Sequence, residues 1–211
     1  MFTGIVSDIG TLAASDGSRL RIASSYEPAS LSLGASIACD GCCLTVARLC
    51  AGAAPGAVFE VDVSNETSAR TTLGTWTEGT RINLERSLSL GSELGGHLVT
   101  GHIDGLARIR ARTPDGESVR FILEAPAEFV HFITPKGSIA LNGVSLTVNE
   151  LDDRGCGVNV FGVNVIPYTL VHTTWGDRTP GDLVHLEVDL LARYVERVAS
   201  GRLASRQDHQ T

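Results

Sequence analysis

A sixteen-residue stretch of this chain occurs twice, with an offset of 102 residues between equivalent positions. Residues 34–49 read GASIACDGCCLTVARL, and residues 136–151 read KGSIALNGVSLTVNEL. Residues 66–85 and 168–187 match at the same offset. A period of about 100 residues is too long for a solenoid repeat and suits a whole small domain. The chain is therefore a tandem duplication of one domain.

The duplication also sets the expected domain boundaries. Residues 87–96 are polar, glycine-rich and without periodicity, and the first-copy pattern restarts just after them. We predict one domain over residues 1–97 and a second over residues 98–188, each large enough to bury an apolar core. Residues 189–200 and 201–211 lie outside the duplicated unit, and we predict a helix for the former and a frayed polar tail for the latter.

Both copies consist of short segments of strand-like sequence, separated by turn residues at intervals of about 8 to 12 residues. The predicted strands are residues 2–12, 20–23, 36–38, 43–49, 58–63 and 81–85 in the first copy, and 106–111, 119–123, 138–141, 144–151 and 157–165 in the second. A short helix is expected over 125–132, and turns at 40–41, 51–56 and 114–116. The pattern predicts an all-β fold of two tandem six-stranded antiparallel barrels, because closure leaves no open sheet edge.

The helix predicted after Asp189 is amphipathic. Leu190, Leu191, Tyr194, Val195 and Val198 fall on one face, and Asp189 suits the N-cap position. Neither barrel obviously requires this helix, so its apolar stripe needs another surface to cover it. Two placements are open at this point: a subunit interface, or packing on the chain's own barrel.

Composition and charge exclude several classes of function. The formal net charge is −7 and no run of Lys or Arg occurs, which argues against a nucleic-acid partner. The sequence has no basic leader and no stretch of about 18 apolar residues, so we expect no membrane segment and a cytoplasmic location.

The cysteines indicate a reducing compartment and no metal site. The chain has five, an odd number, and four of them crowd between residues 39 and 50. Cys39 and Cys42 match the C-x-x-C spacing. Zinc would require a second pair at metal spacing, and a redox motif would require a helix start, so neither use is favoured.

The two copies differ at positions that carry reactive side chains. Cys43 in the first copy corresponds to Ser145 in the second, and Ile5 corresponds to His102. Two similar pockets would therefore carry different chemistry, which points to an enzyme. Taken alone, Cys43 is more typical of a small buried apolar residue, and His102 is equally compatible with a structural role.

Several longer motifs give the sequence a family resemblance. They are MFTGIV at 1–6, GCCLTV at 41–46, ET at 66–67, NLER at 83–86, GGHLVTGH at 95–102, GVSLTV at 143–148, IPYT at 166–169 and LEVD at 186–189. On these motifs the chain, from Met1 to about Ala199, resembles the riboflavin synthase family of the alpha-chain type, whose members consist of two lumazine-binding repeats.

The resemblance implies a fold, a reaction and an assembly. It implies Greek-key barrels that each hold one lumazine, and a homotrimer associated through the C-terminal helix. Members are transferases that dismutate two molecules of 6,7-dimethyl-8-ribityllumazine by moving a four-carbon unit, which yields riboflavin and 5-amino-6-(D-ribitylamino)uracil. No metal or redox cofactor takes part. Each catalytic site lies between the first barrel of one subunit and the second barrel of its neighbour, and lumazine synthase is a candidate partner.

Substrate-binding residues follow from the resemblance, motif by motif. For the first-barrel pocket they are Gly4, Ile5, Val6, Cys43, Leu44, Thr45, Asp62, Val63, Ser64, Asn65, Glu66 and Thr67. For the second-barrel pocket they are Gly101, His102, Ile103, Lys136, Ser145, Leu146, Thr147, Ile166, Pro167, Tyr168, Thr169, Leu170 and Val171. Short hydroxyl and carboxylate side chains of this kind suit the polyol tail of a lumazine, and strand backbone suits its ring.

Catalytic roles follow from the resemblance together with the chemistry. The reaction begins with loss of a proton from the methyl group on C7, for which His102 is the best-matched base and Thr147 a relay or positioning group. A nucleophile must add to C7 of the other lumazine, and Cys43, Ser36 or a water held by them can supply it.

Other polar residues have more than one interpretation. Ser145 is a catalytic candidate as the counterpart of Cys43. Asp189 can orient a polar partner or stabilise a cationic intermediate, or it can serve only as a helix cap. His97 is interpreted as part of the connection between the barrels, and the equivalent residues Glu85 and Glu187 as braces of each barrel.

Three positions depart from the family pattern: Tyr168 in IPYT, His185 at the position of Asn83, and Asn142 near Lys136. These changes bear on binding strength more than on activity.

The alternative hypothesis is a non-catalytic lumazine or flavin carrier of the same fold, such as an antenna protein. Such carriers typically lose the GGH motif and the second-copy histidine, and this chain keeps both. A barrel without any ligand would leave Thr45, Thr147 and the copy-specific Cys43 and His102 unexplained.

Overall fold

The computed structural model describes residues 1–50, 56–152 and 159–207. The first copy contains β1 (Asp8–Ser15), β2 (Arg19–Ala23), β3 (Ser36–Cys39), β4 (Cys42–Cys50), β5 (Val58–Asp62), α1 (Asn65–Arg70) and β6 (Arg81–Arg86). The second contains β7 (Gly105–Asp115), β8 (Ser118–Glu124), β9 (Ser138–Leu141), β10 (Val144–Asp152), β11 (Val160–Val165), α2 (Pro167–His172) and β12 (Leu183–Val188). The helix α3 (Leu190–Gln207) follows, and short 3₁₀ helices lie at Pro28–Ser30, Leu73–Thr75, Ala127–Phe132 and Thr174–Asp177.

Each copy forms a closed antiparallel barrel of six strands, which confirms the predicted fold class. The strand order is β1-β2-β5-β4-β3-β6 in the first barrel, and the equivalent strands follow the same order in the second. Hairpins join β3 to β4 and β4 to β5, whereas β2 pairs with β5 rather than with β3. This is the Greek-key arrangement that the family resemblance implies.

Each barrel has its own apolar core, built from alternate residues of its strands. In β5, Phe59 and Val61 point inward and are fully buried, and in β11 Phe161 and Val163 do the same. Period-two alternation places every second side chain inside a closed barrel. The outward-facing residues of the same strands are left for surface sites and for contacts between the barrels.

The β3–β4 and β9–β10 turns meet where the barrels pack together. Asp40 and Gly41 have φ of 44° and 84°, and Asn142 and Gly143 have φ of 46° and 75°. Positive φ at both central residues is typical of a two-residue hairpin turn, as the Asp-Gly pair predicts. A Cβ atom on Gly41 would lie 2.6 Å from the backbone nitrogen of Gly143, so each glycine lets the other turn approach.

Several element boundaries differ from the sequence prediction. The first barrel strand begins at Asp8 rather than at Phe2, because the preceding residues cross to the other barrel. The strand β7 continues through Pro114 to Asp115, so the reversal comes later than expected. The short helices α1 and α2 were not predicted. The expected 51–56 connection, apart from Gly56, the start of the strand expected at 157 and Cys156 lie outside the described residues.

The C-terminal helix leaves its apolar side uncovered. It extends to Gln207, seven residues beyond the predicted end at residue 200. Leu191, Tyr194, Val195 and Val198 are 55–69% exposed, so this face does not pack on the chain's own barrel. Among the described residues, no helix is long and apolar enough to cross a bilayer.

Candidate functional site

The segment before each barrel's first strand lies against the other barrel. Phe2 and Val99 pair as an antiparallel bridge at the centre, with N–O distances of 2.7 and 3.1 Å. Beyond this bridge the backbone N–H of Ser145 donates to the carbonyl oxygen of Gly4, and that of Cys43 donates to Gly101, both at 2.8 Å. Two equivalent surface sites result, one on each barrel.

This crossing corrects the grouping of pocket residues expected from the sequence. Gly4 to Val6 were assigned to the first-barrel pocket, but they contact Ser145, and Val6 packs on the second barrel's core. Gly101 to Ile103 were assigned to the second-barrel pocket, but they contact Cys43, and Ile103 packs on the first barrel's core. The physical reason is the Phe2–Val99 bridge, which directs each segment away from its own barrel.

Glycine is required where each crossing segment touches the opposite barrel. Gly4 and Gly101 have φ of +76° and +81°. A Cβ atom would lie 2.6 Å from the Cβ of Ser145 at Gly4, and 2.5 Å from the Cβ of Cys43 at Gly101. Only a residue without a side chain fits this conformation and this separation.

Two buried carboxylates hold the crossing segments in place. Glu85 accepts hydrogen bonds from the backbone N–H groups of Thr3 and Gly4 and from the Thr3 hydroxyl, at 2.6–2.9 Å. Glu187 accepts the equivalent three from Thr100 and Gly101. Burial raises the pKa of both carboxyl groups, against the effect of these hydrogen bonds. The arrangement agrees with the bracing role expected from their equivalence.

The first-barrel site is a cavity of about 230 Å³. It is lined by Cys42, Cys43, Glu66, Thr67, Arg70, Thr71, Gly101, His102 and Ile103. An adjoining cavity of about 540 Å³ shares Glu66, Arg70, His102 and Ile103 and extends along the start of α3. Together they offer a thiol, an imidazole, a hydroxyl and an ion pair around one space.

Cys43 and Cys42 have different environments, although they are neighbours in β4. Cys42 points into the barrel core and is buried, and burial raises the pKa of its thiol to about 12. Cys43 lies on the outward face, is partly exposed and lines the cavity beside His102. Cys43 is therefore the thiol available to a ligand. Within the described residues, no group of three or more His, Cys, Asp or Glu side chains could hold a metal ion.

The second-barrel site has a serine where the first has this cysteine. The Oγ of Ser145 lies 2.7 Å from Nδ1 of His97. His97 is buried, and burial lowers the pKa of its imidazole, while Asp189 opposes this effect. Its Nε2 atom is buried without a hydrogen-bond partner among the described residues. A neutral imidazole beside a hydroxyl can accept the serine proton.

His97 was interpreted from the sequence as part of the connection, and the structure places it in the site. It follows two glycines, and a Cβ atom on Gly96 would lie 2.8 Å from the Cβ of Ser145. The Gly-Gly-His motif therefore lets the chain pass close to Ser145 and then presents the imidazole to it. The two glycines before His97 were the available sequence signal, although the sequence does not show which residue they approach.

The short helix α1 forms one wall of the first-barrel site, and α2 is the equivalent element of the second barrel. Ser64 caps α1, since its Oγ accepts from the backbone N–H of Thr67 at 3.1 Å. On α1, Glu66 and Arg70 form an (i, i+4) ion pair at 3.4 Å. On α2 the equivalent residues, Tyr168 and His172, stack with ring centroids 4.0 Å apart. The spacing of Glu66 and Arg70 was the available sequence signal for α1.

Several residues predicted to bind substrate have side chains in the barrel cores. Leu44, Leu146 and Val63 are buried there, so they offer a ligand only backbone groups. Asp62 is exposed and bonded to Arg19 on the adjacent strand at 2.7 Å.

Other predicted site residues lie on the outer surfaces of the barrels. Ser36 and Thr45 are partners across β3 and β4, and Ser138 and Thr147 are the equivalent partners across β9 and β10. Lys136 is exposed, with a φ of 68°. The remaining predicted residues belong to exposed or half-buried parts of α1 and α2 and their first turns: Asn65, Ile166, Pro167, Thr169, Leu170 and Val171.

Within one chain, the expected base His102 and the expected relay Thr147 lie on different barrels. His102 shares its cavity with Cys43 on the first barrel, and Thr147 lies on β10 of the second. Asp189 directly precedes α3, and its carboxylate accepts from the backbone N–H of Leu191 at 2.9 Å, in keeping with the expected cap.

The two barrels have the same topology, and each has a surface site that a segment from the other copy completes. These features define a duplicated small-molecule-binding protein. The model of the Lumazine binding domain family matches residues 3–87 and 100–189. The riboflavin synthase of Brucella abortus (strain 2308) is 49% identical over 203 residues, which cover 94% of this chain and 98% of that protein. The riboflavin synthase of Mycobacterium tuberculosis (strain ATCC 25618 / H37Rv) is 42% identical over 202 residues, which cover 94% and 98%.

Solved structures agree on the fold. The crystal structure of LumP complexed with riboflavin matches this chain with a TM-score of 0.75 and 25% sequence identity. The matched region covers 89% of this chain and 99% of the LumP chain. The chain thus belongs to the riboflavin synthase family, built from two lumazine binding domains.

Proposed function

We propose that the chain is a riboflavin synthase. It converts two molecules of 6,7-dimethyl-8-ribityllumazine into riboflavin and 5-amino-6-(D-ribitylamino)uracil by transfer of a four-carbon unit. The observation that carries this proposal is the pair of equivalent sites with unequal reactive groups. Donor and acceptor are the same molecule, which calls for similar pockets, but they undergo different steps, which calls for different side chains.

Each barrel binds one lumazine on its outer face. On the first barrel, His102 and Cys43 line the cavity, and the polar side chains of α1 lie along its wall. On the second barrel, Ser145 and His97 take the equivalent place. The Gly4 and Gly101 segments offer backbone groups to the ring in both sites.

The first chemical step is removal of a proton from the C7 methyl group, and His102 is the base. Because His102 is exposed in the cavity, a bound ligand can reach its ring directly. The second step adds a nucleophile to C7 of the other lumazine. The Ser145 hydroxyl, or a water that it holds, is the nucleophile at the second barrel, and His97 accepts its proton. Cys43 keeps the corresponding role if the acceptor binds to the first barrel.

The two lumazines must meet, and one chain keeps its own sites on different barrels. A homotrimer that joins the first barrel of one subunit to the second barrel of the next satisfies this need and brings His102 near the neighbour's Thr147. The exposed apolar face of α3 supports such an assembly. The proposal includes a cytoplasmic location, since the four free cysteines among the described residues suit a reducing compartment. It also includes association with lumazine synthase.

The direct test is incubation of the purified protein with 6,7-dimethyl-8-ribityllumazine in EDTA, without any nucleotide. We expect riboflavin fluorescence to appear together with an equal amount of 5-amino-6-(D-ribitylamino)uracil. A variant carrying both His102→Ala and Ser145→Ala is the matched control. Tight binding of lumazine without riboflavin formation would favour the alternative hypothesis of a non-catalytic carrier; LumP, which has the same fold, also binds riboflavin in its crystal structure.

A further inference from the structure

His185 on β12 is completely buried between the barrels, although its side chain is polar. Its Nδ1 atom lies 2.8 Å from the carbonyl oxygen of Asp40. Its Nε2 atom lies 2.9 Å from both the backbone nitrogen and the hydroxyl of Thr72. A backbone N–H can only donate and a carbonyl can only accept, so the ring must carry its proton on Nδ1 and none on Nε2.

The first copy makes the same two contacts with Asn83. Its Nδ2 donates to the carbonyl oxygen of Asn142 at 2.9 Å, and its Oδ1 accepts from the backbone N–H of Thr174 at 2.7 Å. The last strand of each barrel therefore sends one side chain into the other barrel. That side chain donates to the hairpin turn and accepts from the segment that follows α1 or α2.

The contact between Nε2 of His185 and Thr72 holds one wall of the first-barrel site in place. Thr72 follows α1 directly after Thr71, and Thr71 lines the first-barrel cavity with Glu66 and Arg70. The hydroxyl of Thr72 also accepts from the indole N–H of Trp76 at 3.2 Å. The Trp76 ring stacks near that of His185, with centroids 6.4 Å apart. The imidazole thus fixes the end of α1 from the opposite barrel.

We propose that His185 is a positioning residue for the first-barrel site, and that it acts through Thr72 only while its ring is neutral. Asn83 performs the same task for the second-barrel site through Thr174, and an amide does not titrate. The contact that holds the wall is therefore sensitive to acid at the first-barrel site and not at the second. That the positioned site holds a lumazine rests on the proposed function.

The charges around His185 determine when the contact is lost. The charged group that acts on its ring is the guanidinium of Arg178, which lies 3.5 Å from the carboxyl group of Asp40. Asp40 contacts the ring through its carbonyl oxygen. Burial lowers the pKa of His185 to about 4, and Arg178 adds to this effect. Burial raises the pKa of Asp40 to about 6. A proton on Nε2 would face the N–H of Thr72, so the charged ring cannot keep the contact.

Binding of riboflavin to the full chain, measured by calorimetry at pH 7.5, tests the positioning role. We expect two sites in the wild type. His185→Ala weakens one of them about tenfold and leaves the other within twofold, because the half-buried backbone N–H of Thr72 loses its acceptor. His185→Asn restores most of the affinity, as Asn83 does in the first copy, and Asn83→Ala weakens the other site. Equal weakening of both sites by His185→Ala, or of neither, would overturn the proposal.

Tryptophan fluorescence without ligand tests the protonation of His185, because Trp76, one of the two tryptophans, stacks near its ring. We expect the wild type to show quenching between pH 7.5 and 3.5 that His185→Asn lacks and Asp40→Asn keeps. A signal that survives His185→Asn, or that follows Asp40, would overturn the acid sensitivity. If riboflavin bound at neither site of the wild type, the proposed function would fail. The fluorescence measurement would still decide whether His185 takes up a proton and loses its contact with Thr72.

Discussion

At the residue scale, the two sites hold their reactive groups differently. Ser145 is hydrogen-bonded at 2.7 Å to the imidazole of His97, which is buried and shielded from solvent. His102 is exposed in the cavity that Cys43 lines. The buried neutral imidazole of His97 can accept a proton from Ser145, whereas the exposed imidazole of His102 can contact a ligand directly. The two histidines therefore have separate tasks.

His102→Ala is expected to lower turnover by about 10²- to 10⁴-fold, the usual contribution of a general base. Because the backbone of residues 101–103 still lines the cavity, affinity for lumazine should change only a few-fold. Steady-state kinetics and equilibrium binding measure the two quantities separately. His131→Ala removes an exposed histidine elsewhere and is the control. Equal losses of turnover and affinity would make His102 a binding residue.

Ser145→Ala and His97→Gln are each expected to lower kcat by about 10²-fold. The double variant should be no slower than the slower single variant, since the two groups act as a unit. A double-mutant cycle on kcat measures this coupling. Losses that multiply would show that the 2.7 Å contact has no joint role in the reaction.

The difference between the copies predicted His102 and Cys43 as special, because one copy could be compared with the other. His97 lies in the connection and has no counterpart in the duplicated pattern. Its role depends on how closely the Gly-Gly turn approaches Ser145, which is a three-dimensional property. The grouping of site residues was wrong for a similar reason, since no local pattern shows that two segments cross.

At the element scale, the barrels meet through paired turns and crossed segments. The β3–β4 and β9–β10 turns touch at their glycines, and Phe2 pairs with Val99 beside them. The strands themselves could be predicted, because alternation and turn residues are local signals. The helices α1 and α2 were missed, since each has only six residues and is held by its barrel, and the one local signal was the spacing of Glu66 and Arg70 on α1.

Gly41→Ala is expected to destabilise the protein by roughly 3 kcal/mol, from positive φ together with a clash against the opposite turn. Gly17→Ala is the matched control, because Gly17 has a φ of +91° but no atom within 4 Å of an added Cβ. It should cost about 1 kcal/mol. Urea unfolding measures both values. Similar losses for the two variants would mean that contact between the turns contributes little.

At the scale of the whole molecule, α3 directs an apolar face away from both barrels. Val195→Asp is expected to convert the proposed trimer to monomers and to abolish riboflavin formation, while each barrel stays folded. Arg197→Asp, on the polar side of the helix, is the control. Sedimentation velocity and circular dichroism provide the readouts. Full activity in a monomeric variant would contradict an inter-subunit site.

Acid should act on stability through two opposed groups between the barrels. His185 has a lowered pKa, so the folded state binds fewer protons than the unfolded state between about pH 4 and 6.5, and stability falls on acidification. Asp40 has a raised pKa, so its contribution rises on acidification between about pH 6 and 4. Each is worth roughly 3 kcal/mol, and the two nearly cancel.

The variants should separate these contributions. From pH 6 to 4, His185→Asn is expected to gain stability relative to the wild type, and Asp40→Asn is expected to lose it. Glu85 and Glu187 are present in all three proteins, so their effects drop out of the comparison. Urea midpoints at each pH supply the measurement, and parallel curves for the three proteins would show that neither group titrates in this range.

The exchange of leading segments bears on how the molecule arose. Neither half completes its own site, since the residues that close each site come from the segment before the first strand of the other half. An ancestor with a single barrel would have completed its site as a dimer, in which two copies exchange their N-terminal segments. The repeat within one chain fits the fusion of two such copies, and the different residues at Cys43 and Ser145 fit later divergence of the two halves.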